Sequence, residues 1–205
     1  MTTRRTVLAA GLANAVLPFS AKARPRDPEV RTTAGPVIGL QREGVSIFKG
    51  VRYGAPTRRF QPPRRPAPWR DPIRAADYGA ASPQRGDEAN QSEDCLFLNV
   101  WTPGTDAGRR PVMVYIHGGA YSSGSGSDPL YDGARLAARG DVVVVTLNHR
   151  LNVFGYAYLA RLAPGFEDSG NAGQMDLILA LQWVRDNIAA FGGDPSRVMQ
   201  IGRAS

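Results

Sequence analysis

Val112-Met113-Val114-Tyr115-Ile116-His117-Gly118-Gly119-Ala120-Tyr121 is the stretch from which the rest of this 205-residue chain is read. Its first half is a continuous apolar run rich in β-branched residues, with no polar alternation, as a strand buried on both faces requires. Its second half is glycine-rich and passes into Ser122-Ser123-Gly124-Ser125-Gly126-Ser127. A second such run follows from Val142 to Leu147. Between the two, Asp132 to Ala138 reads as a short helix stopped by Gly140. Strands separated by helical segments predict an α/β fold, a mainly parallel sheet covered by helices.

The pattern extends in both directions. Gly35 to Tyr53 reads as a short-strand region, Pro36 to Leu40 and then Val45 to Val51, with a turn at Arg42-Glu43-Gly44. Residues 55 to 92 are rich in proline, arginine and glycine and read as irregular surface chain, and Cys95 to Trp101 is a strand ended by Pro103-Gly104. The strongest helix is Ala172 to Phe191, with Leu177, Leu181, Val184, Ile188 and Phe191 on one stripe. Ile178, Leu179 and Trp183 lie off that stripe, so the helix is expected to be covered on more than one side. Asn171 is placed to cap its start and Gly192-Gly193 to end it. After a turn at Asp194-Pro195-Ser196, a last strand from Arg197 to Ile201 delivers Gly202.

The front of the chain carries a different signal. Arg4-Arg5 precede an apolar stretch from Val7 to Phe19, and Ala21-Lys22-Ala23 supplies a small-x-small cleavage pattern. That layout predicts a twin-arginine export signal over 1–23, a domain over 24–205, and an exported product, periplasmic or secreted. The apolar stretch falls short of the about 20 residues that span a bilayer, so no stable membrane anchor is expected.

Net charge is +7, and arginines cluster from Arg52 to Arg74 among prolines. A polyanion patch and a solvated, proline-stiffened loop both fit that cluster. The absence of any nucleic-acid-binding signature favours the loop, and no nucleic-acid partner is expected. The single cysteine, Cys95, has no partner for an intramolecular disulfide. The two histidines, His117 and His149, stand at strand ends without the company of metal ligands, so no metal is expected.

The glycine-rich loop is where chemistry would sit. A phosphate cradle is disfavoured, because Gly124-Ser125-Gly126-Ser127-Asp128-Pro129 fails G-x-G-x-x-G at its last position. Two readings stay open on the residues alone: a tight turn, or backbone N–H groups left accessible to an oxyanion because small side chains do not block approach.

Longer blocks add a resemblance. Glu93-Asp94-Cys95-Leu96-Phe97-Leu98-Asn99-Val100-Trp101-Thr102-Pro103 resembles a signature of the type-B carboxylesterases. Phe48 to Pro56, Arg59 to Pro63, Val143 to Gly155 and Ala180 to Pro195 are similar to other blocks of that family, in family order, over residues 34 to 202. The resemblance implies an α/β-hydrolase fold that splits small-molecule carboxylic esters through a serine acyl-enzyme, with no cofactor.

Position by position, it implies that Gly119 and Ala120 supply two oxyanion-hole N–H groups and Ser205 a third. Ala120 stands for a more usual glycine, and Phe97 for tyrosine or threonine. The nucleophile position is Ala204, in Gly202-Arg203-Ala204-Ser205, and neither His117 nor His149 matches the catalytic histidine. Ser82 stands where many relatives carry the cysteine that pairs with Cys95. The expectation is therefore the N-terminal part of such a domain, truncated before its catalytic triad and inactive as written. The rival is a non-catalytic α/β-hydrolase-like binding protein.

Overall fold

The computed structural model describes residues 27–202. The export segment expected at 1–23, and Ala204 and Ser205, lie outside the described residues. Among the described residues nine strands form: β1 (Glu29–Arg31), β2 (Pro36–Ile38), β3 (Leu40–Arg42), β4 (Val45–Arg52), β5 (Ile73–Arg74), β6 (Phe97–Thr102), β7 (Arg110–Ile116), β8 (Val143–Leu147) and β9 (Gly193–Gly202). Three α-helices accompany them: α1 (Ala134–Gly140), α2 (Asn152–Tyr156) and α3 (Ala172–Asn187). β1, β2 and β5 make a small sheet, and the other six strands make a larger one in the order β3-β4-β6-β8-β7-β9.

How these strands pair follows from what joins them. Glu43 (φ 49°) and Gly44 (φ 80°) both take left-handed backbone, which lets a two-residue turn fold β3 back antiparallel onto β4. β7 and β8 are parallel, with α1 in the crossover between them. β9, reached from β8 through α2 and α3, adds parallel to β7 on its other side. The pairs β4–β6 and β6–β8 are antiparallel. The sheet is thus mixed among the described residues, and its parallel part is confined to β8, β7 and β9.

β8 is the sheet's dry centre, with all five residues buried. β7 departs from the expectation of burial on both faces: Val112 and Val114 are fully buried, whereas Met113, Tyr115 and Ile116 are only partly covered. One apolar core joins Phe48, Leu98, Val114 and Val145 to Trp183, Val184, Ile188 and Phe191. Within it, the Phe48 and Phe191 rings meet edge to face at 4.9 Å.

Helix α3 corrects two further expectations. Its buried face runs through Asp176, Leu179, Ala180, Trp183, Val184 and Asn187, so Leu179 and Trp183 belong to the main contact. Leu177 and Leu181 are only partly buried, and Ile178 is exposed. Asn171 occupies the N-cap position, but its side chain makes no capping bond; a 3₁₀ turn from Ser169 leads straight into the helix. The helix tightens to 3₁₀ over Ile188–Phe191 and stops at Gly192, φ 78°. The first helix begins at Ala134, two residues after the expected Asp132, because the Asp132 carboxylate accepts the Ala134 N–H as a local cap. Gly140 closes that helix from within, and Asp141 takes the left-handed position after it.

Candidate active site

The glycine-rich stretch leaves β7 at His117 and doubles back at once. The carbonyl of Gly119 accepts the N–H groups of Ser122 (2.9 Å) and Ser123 (3.1 Å). It also accepts the Ser122 hydroxyl. Gly119 sits at φ 120°, and a Cβ there would collide with the Ser123 carbonyl, so only glycine fits. Ala120 (φ 51°) and Tyr121 (φ 60°) continue in left-handed backbone, a cost of order 1–3 kcal/mol each that the surroundings must hold in place. The N–H groups of Gly119 and Ala120 donate to nothing among the described residues. Such unspent backbone donors are what a developing oxyanion needs.

Four neutral amide side chains hold this loop. Gln84 grips Gly124 from both sides, donating Nε2–H to its carbonyl (2.9 Å) and accepting its N–H (2.6 Å). Asn99 donates Nδ2–H to the Gly126 carbonyl and to Thr146 Oγ1, and accepts the Gly50 N–H at the bulge between β4 and β6. Asn148 accepts the Gly126 N–H and donates to the Ala80 carbonyl. Asn152 bridges the carbonyls of Ser122 and Pro83. Glu88 adds an acceptor for the Ser125 hydroxyl. Backbone alone would leave the glycines free, and these bonds remove that freedom.

The two histidines that the sequence leaves apart come together here. Their rings stack with centroids 4.8 Å apart and planes 13° from parallel. Each Nδ1 lies 3.0 Å from a carbonyl, Gly118 for His117 and Arg150 for His149. A proton assigned to each Nδ1 satisfies both bonds and leaves both rings neutral. Burial pushes both pKa values down, and the neighbouring His117 adds to burial in bringing His149 to about 4. His117 Nε2 is buried without a partner among the described residues. Both rings line a cavity of about 180 Å³, with Gly118, Ala120, Tyr121 and Leu177 around it.

Behind the histidines lies a buried ion pair. Arg150 donates Nε–H to Asp176 Oδ2 (2.8 Å) and Nη2–H to Oδ1 (2.7 Å), and its own backbone N–H also reaches Oδ2. Burial alone would lower the Arg150 pKa, but the bonds and charge of Asp176 outweigh it and raise it. The pair ties the strand end at Arg150 to α3, and Arg150 Nη1–H extends the tie to the Gln61 carbonyl.

Of the residues expected in the site, Gly119 and Ala120 lie on this loop, whereas Ala204 and Ser205 fall outside the described residues. Cys95 is a buried free thiol, its pKa pushed up to about 12 chiefly by burial. Ser82, also buried, is hydrogen-bonded to it and accepts the Leu151 N–H. Four arginines of the 52–74 cluster face carboxylates: Arg52 with Asp94, Arg59 with Glu93, Arg65 with Asp186 and Arg74 with Asp27. Sequence reasoning missed Gln84, Asn99 and Asn148 as loop anchors. The available signal was a polar residue in the middle of the apolar run 96–101, which a buried strand tolerates only when its hydrogen bonds are met. Among the described residues, no helix is long and apolar enough to cross a membrane.

Known proteins resemble this chain in sequence and in fold. Residues 26–205 match the Carboxylesterase family. The chain is 45% identical to the para-nitrobenzyl esterase of Bacillus subtilis over 187 residues, 86% of this chain and 38% of that protein. It is 37% identical to the phenmedipham hydrolase of Pseudarthrobacter oxydans, over 86% of this chain and 37% of that one. The crystal structure of a carboxylesterase from Geobacillus stearothermophilus superposes with a TM-score of 0.82 at 44% identity, covering 85% of this chain and 37% of that one. The chain therefore spans under two fifths of the length of these relatives. On that family match and those identities, it belongs to the carboxylesterase family, with the α/β-hydrolase fold of its structural neighbours.

Proposed function

We propose that this chain provides the oxyanion-binding part of a serine carboxylesterase acting on small carboxylic esters. In that reaction a serine oxygen attacks the ester carbonyl carbon, and the carbonyl π pair moves onto oxygen. The resulting oxyanion accepts N–H bonds from Gly119 and Ala120. Collapse of the intermediate expels the alcohol, and water then releases the acid by the same route. Each oxyanion donor is worth about 10²–10³ in turnover in a complete site. The single observation that carries the reading is the pair of unspent N–H groups on a loop held by four amide side chains.

The nucleophile position assigned by resemblance is Ala204, and Ser205 would give the third donor. Supporting this is the register of β9, in which Gly202 pairs with Ile116, so the chain after Gly202 starts level with the start of the loop. A methyl group cannot attack a carbonyl. The sequence as it stands is therefore proposed to bind an oxyanion without producing one, and to leave a p-nitrophenyl ester unhydrolysed above buffer. Ala204 also favours a second reading, a non-catalytic protein that binds anionic or ester ligands in the same cavity. We further propose export through the twin-arginine route, on the strength of Arg4-Arg5 and the apolar stretch behind them; lysine at both positions should then abolish export of a fused reporter. No nucleic acid is proposed as a partner, since four of the clustered arginines are engaged by carboxylates.

The direct test of the site is a titration with a phosphonate monoester, whose anionic tetrahedral oxygens mimic the intermediate. The amide resonances of Gly119 and Ala120 should move downfield together and saturate. No movement at those two amides, with the chain folded, would remove the reading.

A further inference from the structure

A groove of about 530 Å³ runs between α1 and the β3–β4 hairpin. It shares no residue with the cavity at the glycine loop. The larger sheet alternates its side chains. Phe48, Leu98 and Val145 belong to the core that α3 covers, whereas Ile47, Trp101 and Val144 pack with Ala137 of α1. The groove lies on the α1 side, where Val45 and Ile47 form a buried floor. Half-buried Ala134 and exposed Ala138 make its helical wall.

The charges around it do not balance. Four cations, Arg42, Lys49, Arg135 and Arg139, line the groove against two carboxylates, Glu43 and Asp132. Among the described residues none of the four is in an ion pair, and Lys49 Nζ rests 4.0 Å over the Tyr78 ring. Asp132 spends one oxygen on the Ala134 N–H. Arg135 and Arg139 stand four residues apart on one face of α1, where like charges repel. An anion placed between them turns that repulsion into attraction.

Topology sorts the cations into two pairs. β4 runs parallel to β8, since each is antiparallel to β6. The crossover helix α1 returns antiparallel to β7 and β8, and so runs antiparallel to β4 as well. Arg42 pairs with Val45 at the start of β4, which puts Arg139 at that end and Arg135 at the Lys49 end. Each end thus holds two cations and one carboxylate. Four residues span about 13 Å along a strand and about 6 Å along a helix, so the two cation pairs stand about 6–13 Å apart. The space is within the about 300–1,000 Å³ of small-molecule sites.

We propose that this groove binds an elongated apolar dianion. One anionic group is held by Arg42 and Arg139, the other by Lys49 and Arg135. The hydrocarbon body lies along Ala134, Ala138 and the aliphatic stems of the two helical arginines. The site is independent of the oxyanion loop and of the hydrolytic reading.

Naphthalene-2,6-dicarboxylate titrated calorimetrically into the full 205-residue chain tests it, because its rigid rings carry a carboxylate at each end. Binding should saturate at one site in about the millimolar range. 2-Naphthoate, with the same rings and one carboxylate, should bind at least about threefold more weakly, the worth of an exposed ion pair. Arg135→Gln and Arg139→Gln should each weaken the dicarboxylate by a similar factor. Ala138→Glu, which sets a carboxylate in the helical wall, should weaken it further. These three positions are exposed, so their variants keep the fold. Arg161→Gln, exposed and outside the groove, should change nothing. Equal binding of 2-naphthoate, unchanged affinity in both helical arginine variants, or an equal loss in Arg161→Gln would each overturn the proposal. Displacement by equimolar sulfate would overturn it too, since charge alone would then account for the binding.

Discussion

Two irregular segments of this molecule are held in place by opposite means. The glycine loop after β7 is fixed by neutral amides, Gln84, Asn99 and Asn148, whose bonds to its backbone are buried or half-buried, and Asn152, whose bond is exposed. The proline-arginine segment from Arg52 to Arg74 is pinned by ion pairs whose arginines are partly or well exposed. An amide both donates and accepts along fixed directions, so it sets the orientation of a peptide group. An exposed ion pair sets little beyond proximity and is screened by salt. The means of attachment thus mark which segment must present its backbone accurately and which need only stay close.

The largest break in this comparison comes from removing charge where it is buried. Asp176→Ala strands the Arg150 guanidinium, 2% exposed, without its partner, and should cost about 3–5 kcal/mol in chemical denaturation. That is a large part of a domain's usual 5–15 kcal/mol, roughly. A loss no greater than that of a surface pair would show that burial does not separate the two modes.

Acid is the next largest effect. His149 has a folded-state pKa of about 4 against 6.5 for a free histidine. The unfolded chain therefore takes up the proton first, and stability is full above pH 6.5. It drains as pH falls from 6.5 toward 4 by about 3 kcal/mol and then levels, with His117 shifted in the same direction. Denaturation midpoints measured across that window should lose most of this slope in His149→Phe.

Asn99→Ala should cost about 2 kcal/mol, since it leaves the Gly50 N–H without its acceptor and takes one of the two bonds that the Gly126 carbonyl accepts, the other coming from Thr146 Oγ1. Its effect should persist in 1 M salt, where the Debye length is about 3 Å against about 10 Å at 0.1 M. Arg52→Ala, by contrast, should cost about 1 kcal/mol or less and shrink as salt is added. A salt-sensitive Asn99 variant or a salt-insensitive Arg52 variant would blur the distinction.

Much of the fold was legible because strands such as Val143–Leu147 are continuous β-branched runs that fit few other environments. The left-handed pair Glu43-Gly44 announced its hairpin equally well. What the sequence hid was whatever depends on partners distant along the chain. The antiparallel half of the sheet depends on β6 lying between β4 and β8, which no local pattern encodes. The true face of α3 depends on Asp176 being buried against Arg150, a charge that apolar counting assigns to solvent. The glycine loop was legible as small residues after a buried strand. Its anchors were not, since Gln84 and Asn99 stand 40 and 27 residues away from the glycines that they hold. Stacking of His117 on His149 was hidden for the same reason, because the strand ends meet only once β7 and β8 pair.

The central claim is that the loop is rigid while two of its N–H groups remain unspent, and amide hydrogen exchange reads both halves at once. Gly124 and Gly126 donate to Gln84 and Asn148, and Ser122 and Ser123 donate to Gly119, so these four amides should be protected. Gly119 and Ala120 should exchange far faster than any of the four, at rates close to those of open chain. Protection at Gly119 and Ala120 equal to that of Gly126 would contradict the account, as would uniformly fast exchange across residues 118–127.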